Sequence, residues 1–211
     1  MIISHKHKFI FVKTTKVAGT SVEIFFEQIS FSKKEQVPHG QPEIINEEGI
    51  VGQRGNPKRR GKQPIWKAHC KLKEIKKKIN NDKLFNEYFK FSVVRNPWDR
   101  VVSAYYHFFS EIPFEEYVMN TSKVPKITSY FGGYIDDVYF IRFENLEEDV
   151  EYVCKKLGLD YDINNFGTYK TEHREHSKHK HYTEYYDEET KQIIAEKYAR
   201  DIEYFGYKFG E

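Results

Sequence analysis

The sequence predicts an α/β domain of three layers, with a central, mostly parallel sheet flanked by helices. Short apolar, β-prone runs recur at residues 8–13, 89–94 and 138–143. Each is followed by a stretch whose apolar residues fall at helical spacing. Strands alternating with helices are the pattern of a parallel sheet covered by helices. The length of 211 residues suits one domain over residues 1–211 with a substantial core.

Taken in order, KFIFVK at residues 8–13 is a buried strand. Residues 14–20 form a small-residue turn. Residues 21–29 place Val22, Phe25, Phe26 and Ile29 on one helical face. Residues 32–64 are rich in Gly and Pro, which break regular elements. An insertion of this length reads as a mobile, substrate-side loop. Residues 71–89 read as one helix running up to the strand at 89–94. Asn96 followed by Pro97 is a helix start, with Asn as N-cap and Pro at the first helical position. That helix runs to about Phe109. Residues 147–157 form a helix stopped by Gly158, and residues 188–204 form the last one.

Lys and Arg total 34 against 32 Asp and Glu, a net charge of +2. This balance argues against a nucleic-acid binder acting through bulk charge. Aromatics at 17% exclude a disordered chain. No apolar run reaches the roughly 18 residues of a membrane span. Cys70 and Cys154 have no metal or disulfide-framework spacing, so a reducing, cytoplasmic setting is the simplest reading. Residues 54–78 hold eleven basic residues against Glu74 alone. They read either as a solvated face or as an electropositive wall beside an anionic ligand.

Two segments carry chemistry. The first, KTTKVAGTS at residues 13–21, leaves a strand and enters a helix. Amides at a helix start and the helix dipole favour an anion there. Thr15, Lys16, Val17, Ala18, Gly19, Thr20 and Ser21 would then cradle a phosphate- or sulfate-type group, with Lys16 supplying a full charge. The other reading is a plain strand-to-helix turn. The order is not that of a Walker A loop, whose lysine follows its last glycine. The second segment is VVRNPWDRVVSAYY at residues 93–106. Arg95 stands at a strand's carboxyl end, where ligands bind open α/β sheets. It can offer a bidentate fork to a phosphate, and Ser103 can add a hydroxyl. Asp99 and Arg100 read as a surface pair.

These two segments resemble the signature of sulfotransferases that use 3′-phosphoadenosine 5′-phosphosulfate (PAPS), and most closely the carbohydrate sulfotransferase branch. Lys16, Gly19, Thr20 and Ser21 match that family's 5′-phosphosulfate loop. Arg95 and Ser103 match its 3′-phosphate site. Further likeness lies in IRFENL at residues 141–146 and in residues 182–209. The sequence departs from the pattern at Thr15, where the family commonly has Pro, and at Ala18. The resemblance implies a P-loop-like sulfotransferase fold and transfer of a sulfuryl group from PAPS to an acceptor hydroxyl, without a required metal. It favours a glycan acceptor, with no nucleic-acid partner. Lys16 would stabilise the charge that grows as the donor bond breaks. His69 resembles the family's histidine and is the first choice of general base, with Glu23 or another acid as the alternative. His173, His176, His179 and His181 lie in a segment the resemblance puts near the phosphates or the acceptor, so Ser177 or Lys178 would touch the 3′-phosphate. A solvated loop is the other reading, and zinc is disfavoured. A kinase using ATP and a polyanion-binding protein are the rival functions.

Overall fold

The computed structural model describes residues 1–32, 42–55, 64–120, 124–167 and 180–211. Six strands form one sheet: β1 (Ile2–Ser4), β2 (Phe9–Val12), β3 (Ile44–Asn46), β4 (Gly49–Val51), β5 (Phe89–Val94) and β6 (Val138–Arg142). Their spatial order is β3-β4-β1-β2-β5-β6. The helices are α1 (Gly19–Ser30), α2 (Leu72–Ile79), α3 (Asp82–Glu87), α4 (Pro97–Phe108), α5 (Phe114–Asn120), α6 (Leu146–Leu157), α7 (Glu188–Lys197) and α8 (Ala199–Phe205).

The three strands expected from the sequence are β2, β5 and β6, and they pair in parallel. All four residues of β2 are fully buried, as a central parallel strand covered on both faces should be. The expectation of a mostly parallel sheet is corrected, because the sheet is mixed. Strand β1 runs antiparallel to both β2 and β4, and β3 runs antiparallel to β4. The β3 and β4 hairpin falls inside the stretch read as a loop. Asn46 makes its turn by accepting hydrogen bonds from the amides of Glu48 (3.0 Å) and Gly49 (3.1 Å). Gly49 marks a close strand approach rather than a break. Its φ is 149°, and a Cβ there would lie 2.0 Å from the Ile3 carbonyl oxygen.

Other boundaries follow local chemistry. Asn96 caps α4 by accepting from the Trp98 amide at 3.1 Å, with Pro97 first in the helix, as expected. Gly158 ends α6 in the left-handed region, also as expected. The helix expected over residues 71–89 is split. Asn80 closes α2 with φ 47°, and Asn81 opens α3 by accepting from the Leu84 amide. The last helix is likewise divided, at Tyr198. One apolar cluster lies around the sheet and α1. A second joins α4, α5 and α7 through Trp98, Tyr105, Phe114, Tyr117, Ile194 and Tyr198. Among the described residues no helix is long and apolar enough to cross a membrane.

The antiparallel extension makes Gly49 a sensitive position. Gly49→Ala is expected to lower stability by about 2 kcal/mol or more through clash and backbone strain. In a chain of this size that is a fall in Tm of roughly 4 °C or more, read by thermal denaturation. An unchanged Tm would contradict the close approach of β4 to Ile3.

Candidate active site

Parallel pairing of β2 with β5 sets Val12, the last residue of β2, beside Ser92, two residues before the end of β5. Two hydroxyls tie the ends together. Ser92 Oγ donates to the Val12 carbonyl at 2.6 Å, and Thr14 Oγ1 donates to the Val93 carbonyl at 2.8 Å. Both chains then turn into helices, α1 and α4. The two segments singled out in the sequence thus open on one cavity of about 420 Å³, within the range of small-molecule sites. Thr15, Lys16, Val17, Ala18, Gly19, Thr20, Ser21, Arg95, Ser103 and His69 all line it.

The first loop is strained. Lys16 (φ 64°) and Ala18 (φ 60°) both sit in the left-handed region without being glycine. Such residues persist where the surroundings over-determine them, and they cluster at ligand sites. Alternating turn conformations of this kind aim successive amides at an anion. The first bonds of α1 are donated by Ser21 and Val22 to the Ala18 carbonyl, so the amides before them face the helix end. The Val17 side chain is buried in the core and offers a ligand no side-chain contact. Gly19 is needed for space: a Cβ would stand 3.1 Å from Lys13 Cγ and 3.3 Å from the Thr14 carbonyl oxygen.

Beneath the loop lies a charge cluster that the sequence did not reveal. The buried Glu23 carboxylate meets the Met1 amino group (2.5 Å), Lys13 Nζ (2.6 Å) and Arg54 Nε (2.7 Å). Arg54 also pairs with Glu27. Burial alone would raise the Glu23 carboxyl, but these cations overrule it and hold the group well below the ordinary carboxylate range. Glu23 is therefore a committed counter-ion, and the alternative of Glu23 as general base is corrected. Arg54 is also removed from any solvated basic face, being 2% exposed. Lys78 donates to the Ile65 carbonyl and Lys76 pairs with Asp82. Lys58, Arg59, Arg60 and Lys62 lie outside the described residues, as do His173, His176, Ser177, Lys178 and His179.

His69 sits at the cavity wall. Its Nδ1 is 3.0 Å from the Lys13 carbonyl oxygen. A carbonyl only accepts, so Nδ1 carries the proton and the neutral ring keeps its lone pair on Nε2. Desolvation lowers the His69 pKa to about 4, and the charges of Lys13 and the Met1 amine push the same way. The ring is neutral at pH 7.

At the other end, Arg95 is buried against the Phe143 ring, 4.1 Å from its centroid. The expected free fork is corrected. Nε and Nη2 already grip Asp99 Oδ2 (2.7 Å) and Oδ1 (2.6 Å). Nη1 has no acceptor among the described residues. Arg100 is not a surface residue either: it is 1% exposed, and its Nε donates to the Thr15 carbonyl at 2.9 Å. Asp99 and Arg100 therefore do not pair with each other; each serves one end of the cavity. His107 and Phe108, which sequence reasoning missed, also line it. Their only sequence signal is one helical turn of spacing beyond Ser103. Phe108 is 55% exposed, with Lys16 Nζ 6.0 Å from its ring centroid.

A profile of the Sulfotransferase family matches residues 1–129, and the chain belongs to that family. The match takes in β1 to α5 and every residue of the cavity up to Phe108. The chain is similar to an uncharacterized protein of Archaeoglobus fulgidus, 35% identical over 92 residues, covering 38% of this chain and 77% of that protein. No solved structure matches.

The buried cluster predicts a stability effect with a definite pH dependence. Glu23→Gln removes the carboxylate that the Met1 amine, Lys13 and Arg54 share, and breaking a buried pair in this way costs about 3–5 kcal/mol. The depressed Glu23 pKa makes its contribution complete above the ordinary carboxyl value of 4.5 and lost as pH falls below it. Urea denaturation should therefore show the wild-type advantage at pH 7 and its shrinkage below about pH 4.5. Equal stabilities at pH 7 would refute the cluster.

Proposed function

We propose that this protein moves the sulfuryl group of PAPS to an acceptor hydroxyl on a carbohydrate, releasing adenosine 3′,5′-bisphosphate. The observation that carries this reading is that two differently built segments, each suited to an anion, line one cavity. One is the strained loop with Lys16, and the other is Arg95 with Ser103. PAPS presents two separate anionic ends, so its charges match the donors present. When bound, it supplies an activated sulfuryl group on a phosphate leaving group.

In this reading the amides of residues 15–20, with the Thr20 and Ser21 hydroxyls, hold the 5′ end. Lys16 stabilises negative charge on the oxygen between phosphorus and sulfur as that bond breaks. Arg95 Nη1 and the Ser103 hydroxyl hold the 3′-phosphate. The Asp99 carboxylate offsets much of the Arg95 charge, so this end works by directed hydrogen bonds more than by net charge. His69 Nε2 takes the acceptor proton as the new sulfur–oxygen bond forms. The exposed Phe108 face beside Lys16 suits the apolar face of a sugar ring. The two cysteines are buried thiols, not a disulfide, which suits a cytoplasmic enzyme.

The test is turnover of radiolabelled PAPS with a panel of glycans, in the presence of a chelator. Adenosine 3′,5′-bisphosphate and a sulfated acceptor are expected. Consumption of ATP with Mg²⁺ instead would favour a kinase. Lys16→Ala should lower kcat by roughly 10²–10³. His69→Ala should lower kcat by about 10²–10⁴ with little change in bisphosphate affinity.

The pH profile gives an independent check. With the His69 pKa lowered to about 4, the acid limb of kcat/KM should lie well below 6.5. The anionic donor raises the pKa of a nearby imidazole, so the acid limb of kcat should lie at higher pH than that of kcat/KM. Coincident limbs near 6.5 would contradict His69 as the base.

A further inference from the structure

We propose that Arg100 is a positioning residue for this site: its guanidinium orients the peptide between Thr15 and Lys16 so that the Lys16 amide faces the bound anion. The inference rests on the reading of the cavity as a bisphosphate nucleotide site. It concerns a residue that lies outside the cavity wall and would touch no ligand.

The geometry starts with the peptide plane. In a trans peptide the carbonyl and the following N–H point in opposite directions, and the described chain has no cis peptide. Arg100 Nε donates to the Thr15 carbonyl at 2.9 Å from beneath the loop. With that oxygen held by Arg100, which does not line the cavity, the Lys16 N–H points the opposite way, away from the Arg100 guanidinium. Lys16 is also one of the loop's two left-handed non-glycine residues, a conformation that costs about 1–3 kcal/mol unless it is held.

Arg100 is itself held. Its Nη2 donates to the Pro125 carbonyl, and Nη1 lies 3.6 Å from Asp201 Oδ2. Asp201 in turn accepts from the amides of Ile127 (2.7 Å) and Thr128 (3.0 Å). The same segment carries Tyr130, whose hydroxyl is 2.9 Å from Thr15 Oγ1. Thr15 is therefore gripped at its carbonyl and at its side chain by groups that Asp201 organises. Arg100 shares α4 with Ser103, and Arg95 lies just before that helix, so one helix positions both ends of the cavity. A surface pair would need none of this burial.

The test compares two nucleotides by calorimetry. Adenosine 3′,5′-bisphosphate engages both ends, whereas adenosine 3′-monophosphate engages only the Arg95 and Ser103 end. Arg100→Lys keeps the charge beside Asp201 but loses the directed Nε bond. It is expected to raise the bisphosphate Kd about 10-fold or more, the loss of one charge-assisted hydrogen bond. The monophosphate Kd should stay within about twofold, and Ser103→Ala should weaken both nucleotides. Equal weakening of both nucleotides in Arg100→Lys, or no weakening, would overturn the positioning role. Wild-type protein that binds neither nucleotide would overturn the donor reading itself. Should Arg100→Lys not fold, wild-type amide NMR decides the matter. Bisphosphate is expected to move the Lys16 amide proton downfield, and a stationary Lys16 amide would overturn the proposal.

Discussion

The parallel pairing of β2 with β5 is the constraint on which the site depends. It sets two strand ends side by side, and the Ser92 and Thr14 hydroxyls lock them to the neighbouring carbonyls. Both strands lead directly into helices, so two helix starts open on one cavity. A slip of one residue in this pairing would turn Thr14 and Ser92 to the wrong faces. The anion-suited loop and the Arg95 end would then no longer converge.

A buried charge cluster lies beneath the loop. Three cations from distant parts of the chain, the Met1 amine, Lys13 and Arg54, converge on Glu23 of α1. Lys13 runs beneath Gly19, which has no side chain to obstruct it. The Lys13 carbonyl fixes the His69 tautomer. One lysine thus links the counter-ion, the helix start and the proposed base. Arg54 brings the sequence just after the hairpin into the same cluster, so the antiparallel half of the sheet also supports the site.

The parallel half of the fold was legible because buried parallel strands are continuous apolar runs, as in FIFV of β2. The start of α4 was legible from Asn96 and Pro97, whose roles are local. Strands β1, β3 and β4 were not, since three-residue strands carry no periodicity and Gly49 reads as a break until Ile3 is seen beside it. The breaks at Asn80 and Tyr198 depend on single residues within otherwise helical patterns. The ten site residues chosen from sequence all line the cavity, because motif spacing reports what the strand ends present. Their supports were invisible: Arg54 and Glu23 are 31 positions apart, and the burial of Arg100 depends on Asp201, which lies a hundred residues further on. Sequence placed the groups that line the cavity and missed those that hold them there.

The most direct measurement is a crystal structure with adenosine 3′,5′-bisphosphate. The 5′-phosphate is expected within hydrogen-bond distance of the amides of Lys16, Gly19 and Thr20 and of Lys16 Nζ. The 3′-phosphate is expected at Arg95 Nη1 and the Ser103 hydroxyl, with His69 Nε2 open to the acceptor side. A nucleotide bound outside this cavity, or held with its two phosphates reversed, would contradict this placement.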